Sequence, residues 1–397
     1  MHDLHLKNVR PLGAAPCDVL VRDGVIVECG AIAERPGVPV EDGANAILWP
    51  GLIDAHTHLD KTTWGMGWHE NNRDGVLRSR IDYERENRLA LGLDPHRQSM
   101  RHAIGLAARG ATHIRSHVDI DTTHGLRLVE GVQQTRDKLQ GVIDIELVAF
   151  PQSGVMCMPG TVELLDAALS NGCEVLGGID PCGIDRDPKG QLDVIFQLAV
   201  KHGVDIDIHL HEPGELGAFT MELIFERVLA NGMQGRFAIS HAFALGMNDY
   251  QRVGRLIEQI AELDIAILTT GAPSATVPSL KRLKEHGVRV GAGCDGIRDT
   301  WGPWGQPDML DRARIIGMKN GMRSDDDLRL LLETVSRGGA EVMRLQDYGV
   351  HVGARADFTL LAGETVANAV VEIAPPPLVV KGGRVVARHG VCVVDMP

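Results

Sequence analysis

Two histidines stand two positions apart in "PGLIDAHTHLDKT" (residues 50–62), where His56 and His58 end an apolar run that begins at Ala46. Alternation by two turns both imidazoles to the same side of a strand. Other apolar runs end in residues of the same kind. His209 closes "VDIDIH", with His211 and Glu212 just beyond it; His241 closes "RFAISH"; Asp295 follows "VRVGAGC". Imidazoles and a carboxylate converging on one point suit a divalent cation with an open position for water. Such an ion lowers the pKa of its water to about 7 and so provides hydroxide at neutral pH. Taken singly, each residue has an ordinary reading. Histidine at a strand end can serve solvation, His241 can be a satisfied core histidine, His211 can be pocket wall, and Asp295 can cap a following helix. Taken together, they point to a metal site.

The elements that must position these residues follow from hydrophobic period. Strand-like runs cover 46–53, 112–119, 143–150, 174–179, 204–210, 236–241, 265–269 and 288–294. Between them lie segments such as "VELLDAALSNG" and "DLRLLLETVSRGGAEVM", with apolar residues at helical spacing. Eight βα units fit an α/β fold of the (β/α)8 TIM-barrel type, whose active site lies at the C-terminal strand ends. The first 45 residues and the last 40 or so read differently, as short alternating strands with turns at Asp23-Gly24 and Gly382-Gly383. The expected organisation is a small β-sandwich built from both termini (1–48 plus 346–397) beside a catalytic barrel (49–345).

Composition excludes several partners. A net charge of −13 with no basic run argues against nucleic acid and anionic membranes. No apolar run approaches the roughly 20 residues that span a bilayer, and "MHDLHLKNVR" has no signal-peptide core, so a cytoplasmic protein is expected. The seven scattered cysteines form no C-x-x-C pair, which suggests reduced thiols. A homo-oligomer is compatible with the sequence.

In order along the chain, "PGLIDAHTHLDKT", "SHVDID", "VAFPQSG", "DIHLHE", "SHAFALG" and "GCDGIRDTW" resemble the amidohydrolase superfamily, and within it the cytosine-deaminase-like branch, over essentially the whole length. The pattern is also similar to relatives that hydrolyse N-isopropylammelide. The resemblance implies one divalent ion, Zn or Fe, on His56, His58, His209 and Asp295. It implies Glu212 as proton shuttle, His241 as the histidine that orients the hydroxide, Gln152 as reader of a ring amide, and Trp301 as an aromatic lid on the ring. Asp295 would then take a proton from the attacking oxygen while Glu212 protonates a ring nitrogen.

The resemblance has departures. Cytosine deaminases carry a second aspartate after the metal aspartate, where this chain has Gly296, and that absence is expected to widen the pocket. Triazine relatives carry Asp where Glu212 stands. Binuclear relatives use a lysine near the end of the fourth strand, and "EVLGGIDP" has none. Lys61 is read as a salt-bridging or substrate-facing residue that solvates the mouth. Asp119, Asp180 and Asp299 are read as substrate contacts or as supports of the ligands.

The resulting expectation is a deaminase that releases ammonia from a neutral cytosine-type heterocycle, with triazine aminohydrolysis or pterin deamination as the alternatives. A non-catalytic binding relative would be expected to lack Glu212, His241 or a ligand, and none is missing. Elemental analysis of purified protein should find about one divalent ion per chain, because a single ligand set is present; two ions would contradict it.

Overall fold

The computed structural model describes residues 2–71 and 75–394, so residue 1 and residues 395–397 of the expected terminal module lie outside the description. In chain order the strands are β1 (Leu4–Pro11), β2 (Cys17–Arg22), β3 (Val25–Gly30), β4 (Val40–Asp42), β5 (Ile47–Pro50), β6 (Leu52–Thr57), β7 (Ala111–Asp119), β8 (Asp144–Phe150), β9 (Val175–Ile179), β10 (Asp205–His209), β11 (Phe237–Ser240), β12 (Ala266–Thr269), β13 (Val290–Ala292), β14 (Phe358–Leu361), β15 (Leu378–Lys381), β16 (Arg384–Arg388) and β17 (Val391–Cys392). β6 to β13 lie side by side in chain order, all parallel, with helices between them. The fold is the (β/α)8 barrel expected from the alternating pattern.

The run over 46–53 is two strands. β5 belongs to the terminal sheet, β6 opens the barrel, and Gly51 passes the chain between them. A Cβ on Gly51 would lie 2.2 Å from the Thr112 hydroxyl, so this crossing needs a residue without a side chain.

The barrel closes next to the candidate ligands. A parallel bridge pairs Thr57 with Asp295. The Asp295 N–H donates to the His56 carbonyl at 2.9 Å, and the Thr57 hydroxyl donates to the Asp295 carbonyl at 2.9 Å. Gly293 permits the approach, since a Cβ there would lie 2.1 Å from the His56 carbonyl oxygen. Closure of the sheet and placement of two candidate ligands are therefore one event.

Both termini build a second sheet in the order β17-β16-β15-β14-β5-β1-β2-β3, with β4 on β1. β1 serves both halves: its first residues pair with β2, and Arg10 and Pro11 pair with β5. Leu4, Val21, Leu48, Phe358 and Val380 share the core between the halves. The Asp23-Gly24 and Gly382-Gly383 turns have positive φ at both residues, the geometry of tight hairpins.

A buried charge ties this sheet to the barrel floor. The Lys381 ammonium at the end of β15 donates to Asp357 at 2.8 Å, and to Asp144 at 2.7 Å on β8. His113 of β7 stands 3.2 Å away. Lys381 and Asp357 are both almost fully buried. Lys381→Met removes the buried cation from the Asp357 carboxylate, leaving only the exposed Arg355 guanidinium at 3.4 Å, and should cost about 3 kcal/mol, read as a lower thermal midpoint. Adding Asp357→Asn should recover part of the loss; an unchanged midpoint in the single variant would remove the pair from the interface.

Candidate active site

His56 and His58 come from β6, His209 from the end of β10, and Asp295 from the bridge that closes the barrel. The Nε2 atoms of His58 and His209 face each other at 3.4 Å. One Asp295 oxygen lies 3.4 Å from His58 Nε2 and 3.8 Å from His56 Nε2. His241, after β11, joins His56 and Asp295 in a second group of potential ligand atoms within 4.8 Å of one another.

Hydrogen bonds behind the rings fix which nitrogens face inward. His58 Nδ1–H donates to the His117 carbonyl at 3.1 Å, leaving the Nε2 lone pair free. Ser240 gives its hydroxyl proton to Asp207 at 2.6 Å and accepts from His56 Nδ1–H at 2.8 Å. Arg115 holds the other Asp207 oxygen at 3.0 Å. His56 Nε2 is consequently a buried lone pair with no protein donor. Burial pushes His56 down to about 3 and takes His209 and His241 well below the ordinary histidine value. Burial pushes the Asp295 carboxyl up, but His58, His241 and His56 together hold it well below the usual carboxylate range. Imidazoles converging on a carboxylate, with His56 Nε2 unpartnered and the Nε2 atoms of His58 and His209 turned to each other, are the donor set a divalent cation requires. The four expected ligands fit such an ion.

His58, His209 and Asp295 border a cavity of about 280 Å³, at the small end for ligand sites. Lys61, Gln152, His211, Gly296, Asp299 and Trp301 also line it. Lys61 does not solvate the mouth, for it is 2% exposed. Its ammonium donates to Gln152 Oε1 at 2.5 Å and to Asp119 at 3.3 Å, and stands 5.5 Å from the Trp301 ring centre. Burial works against this charge, yet Asp119, Glu84 and Asp60 raise the lysine above its ordinary pKa. Behind it, the buried Arg88 guanidinium binds Asp60 and Asp119 at 2.7 Å and Glu84 at 2.5 Å. Gln152 Nε2 donates back to Asp119 at 3.0 Å, so the amide orientation is fixed by the network. Asp119 is thus an ion-pair partner of Lys61 and Arg88.

Asp180 lies behind His211. Its carboxylate accepts from His211 Nδ1 at 2.8 Å and from the His211 N–H at 2.6 Å. Burial lowers the His211 pKa, but Asp180 outweighs it and the net direction is upward. Glu212, next in sequence, turns the other way. One oxygen accepts from the Cys182 and Gly183 N–H groups at 2.7 and 2.8 Å, and the other from the Thr220 hydroxyl. The cavity-facing group on this segment is His211.

Gly296 does not leave a void. A Cβ built on it would lie 1.9 Å from Asp299 Oδ2, so the Asp299 carboxylate fills the volume that was expected to be open. Burial, with Glu84 adding to it, pushes Asp299 up to about 6.

His117, Asp207, Ser240, Arg88 and Glu84 were not singled out from the sequence. For the first two a signal existed, because residues 113, 115, 117 and 119 alternate along β7 and Asp207 precedes His209 by two on β10. Glu84 and Arg88 sit four apart on helix α1 (Leu77–Asn87) and its cap, where such pairs are usually solvated; only tertiary packing buries them.

Comparison with known proteins supports the family and the fold. The amidohydrolase family matches residues 40–394. The crystal structure of N-isopropylammelide isopropylaminohydrolase from Burkholderia multivorans ATCC 17616 is 44% identical, with a TM-score of 0.96 over 99% of this chain and 100% of that one. The N-isopropylammelide isopropyl amidohydrolase of Pseudomonas sp. (strain ADP) is 29% identical over 360 residues, 89% of each chain. The 5-methylcytosine deaminase of Klebsiella pneumoniae, liganded with 5-fluorocytosine, shares the fold at a TM-score of 0.86 and 24% identity, over 99% of both chains.

The Asp207–Ser240–His56 chain makes a testable demand on metal affinity. Ser240→Ala removes the acceptor that keeps the proton on His56 Nδ1. Chelator competition should then show metal affinity lowered by roughly 10–100-fold, with the thermal midpoint of the metal-free protein little changed. Unaltered affinity would show that His56 is oriented without Ser240.

Proposed function

We infer the activity from one premise, that the chain belongs to the amidohydrolase family: it is a metal-dependent hydrolase that cleaves a C–N bond on a neutral N-heterocycle and releases an amine or ammonia. The observation that carries this reading is the convergence of His56, His58, His209 and Asp295 at a small cavity whose other walls offer a lysine, an amide, an imidazole and an indole. We place an N-alkylamino triazine ahead of a cytosine-type pyrimidine. The 44% identity to an N-isopropylammelide isopropylaminohydrolase supports that order. So does the apolar arc of Ala272, Pro273 and Ile315 in the cavity wall, which suits an N-alkyl group.

His56, His58, His209 and Asp295 would hold a divalent ion, which when bound would supply an activated water at neutral pH. The protein's own groups divide the remaining work. Asp295, held as carboxylate, accepts the proton of the attacking oxygen. His241, with both ring nitrogens buried and free of protein partners, is placed beside Asp295 and His56 to hold that oxygen in position. The Lys61 ammonium meets a ring oxygen, with Gln152 fixed beside it. His211, whose pKa Asp180 raises, donates to the departing nitrogen, which leaves as a neutral amine. Glu212 braces the turn after β9 through Cys182 and Gly183, and so sets the Asp180 carboxylate against His211.

Two measurements test this. Metal-assayed protein given N-isopropylammelide, cytosine or 5-methylcytosine should release isopropylamine from the first faster than ammonia from the others; the reverse order would return the pyrimidine to first place. His211→Asn should lower kcat by about 100-fold or more while metal content holds, as for loss of a general acid. Glu212→Gln should lower kcat less than His211→Asn does; a larger loss would assign the proton transfer to Glu212.

A further inference from the structure

Position 296 follows a candidate metal ligand and faces the cavity, and a glycine there needs a reason. Backbone conformation is not the reason. The left-handed residue is Asp295, at φ 59°, whereas Gly296 is outside that region. Space is the reason, because the Asp299 carboxylate already occupies the place of a side chain, with Oδ2 at 1.9 Å and Cγ at 2.9 Å from a Cβ on Gly296.

Asp299 is also held in this pose. Its Oδ1 accepts from the backbone N–H groups of Trp301 at 2.8 Å and Gly302 at 3.0 Å. The loop carrying it is pinned from the segment that follows the first barrel strand, where the Thr62 hydroxyl donates to the Ile297 carbonyl at 2.5 Å and the Thr63 N–H to the Arg298 carbonyl at 2.6 Å. With Oδ1 locked and the residue 7% exposed, the direction of Oδ2 is set. No donor among the described residues reaches Oδ2, although the residue lines the cavity. A nearly buried carboxylate oxygen without a protein donor is complementary to an N–H on a ligand.

We propose that Asp299 is the substrate-reading carboxylate of this site, delivered through the gap left by Gly296 to accept a hydrogen bond from a heterocycle N–H beside the reacting carbon. The inference rests on the aminohydrolase reading above. A carboxylate only accepts, so the site selects rings that present a lactam-type N–H at that edge. Rings that present a bare nitrogen lone pair or an N-methyl group there are disfavoured, since the buried oxygen is left unpaired.

Asp299→Asn is the decisive variant. The two backbone donors require the amide oxygen on their side, so the NH2 turns to the ring and a donor meets a donor. On metal-replete protein, kcat/KM for N-isopropylammelide should fall by about 100-fold or more. Binding of cyanuric acid, the amine-free N–H product, should weaken by a similar factor in calorimetry, with metal content and thermal midpoint unchanged. The ring N-methylated substrate, poor for the wild type, should lose little. Gly296→Ala, whose methyl displaces Oδ2, should show the same substrate-selective loss, and it serves as the test if Asp299→Asn is poorly folded. Gly296→Asp/Asp299→Gly returns a carboxylate to the same volume from the other position and should recover at least about 10-fold over Asp299→Gly alone. Near-wild-type turnover and product binding in Asp299→Asn overturn the proposal, as does an equal loss on the N–H and N-methyl rings. If the wild type binds cyanuric acid but releases no amine from any heterocycle, the aminohydrolase reading falls while the binding comparison still decides the role of Asp299. If it binds no N–H heterocycle at all, both fall.

Discussion

The meeting of β6 with the segment after β13 carries more of this structure than any other contact. It is held by the Asp295 N–H on the His56 carbonyl and by the Thr57 hydroxyl on the Asp295 carbonyl, each at 2.9 Å. Sheet closure and ligand placement therefore cannot be tuned separately: a shift of one residue in this register would turn His56 and His58 out of the barrel. The close approach at Gly293 fixes that register sterically, because any side chain there would collide with the His56 carbonyl. Around this contact, burial keeps His56, His209 and His241 neutral, and neutral imidazole is the form that can hold a cation.

A second constraint is electrical. Lys61 and Arg88 sit among Asp60, Glu84 and Asp119, all nearly excluded from water. Charges that deep are tolerated only when paired and hydrogen-bonded. Here the pairing converts a flexible lysine into a fixed cation pointing at a small cavity. The carboxylates are spent on that orientation, which explains why Asp119, at the very end of β7, is not a free substrate contact. Gln152 is locked by the same network, so one wall of the site is rigid before any ring arrives.

Much of this was legible in the sequence, and for identifiable reasons. Parallel strands covered on both sides leave apolar runs, and helices between them leave a period of three and four, so the barrel could be read directly. The ligand histidines end such runs. The terminal sheet was readable from Asp23-Gly24 and Gly382-Gly383, whose types match the positive φ of tight hairpins. What could not be read were contacts made across the barrel. The split of residues 46–53 between two sheets depends on where the chain crosses Thr112. The direction of Glu212 depends on the Cys182 and Gly183 amides in a different loop. Gly296 reads as a void in the sequence because its filling comes from Asp299, three residues on, by a loop shape that no periodicity encodes.

Backbone strain shows where the fold gives way to chemistry. Asp180, His241 and Asp295 each follow a barrel strand, and each adopts left-handed φ of 33°, 69° and 59°. Residues with a Cβ resist this conformation, at roughly 1–3 kcal/mol apiece, and glycine would relieve it. Glycine would also remove the carboxylate that accepts from His211, the imidazole beside the candidate ligands, and a candidate ligand itself. The strain persists because each residue is held from elsewhere: Asp180 N–H by the His209 carbonyl at 3.0 Å, His241 N–H by the Leu268 carbonyl at 2.8 Å, and Asp295 N–H by the His56 carbonyl at 2.9 Å. Each of these acceptors lies on a neighbouring strand. The ladder of the barrel thus extends one residue past β9 and β11 and three residues past β13, and the left-handed turn there swings a functional side chain over the mouth instead of along the wall.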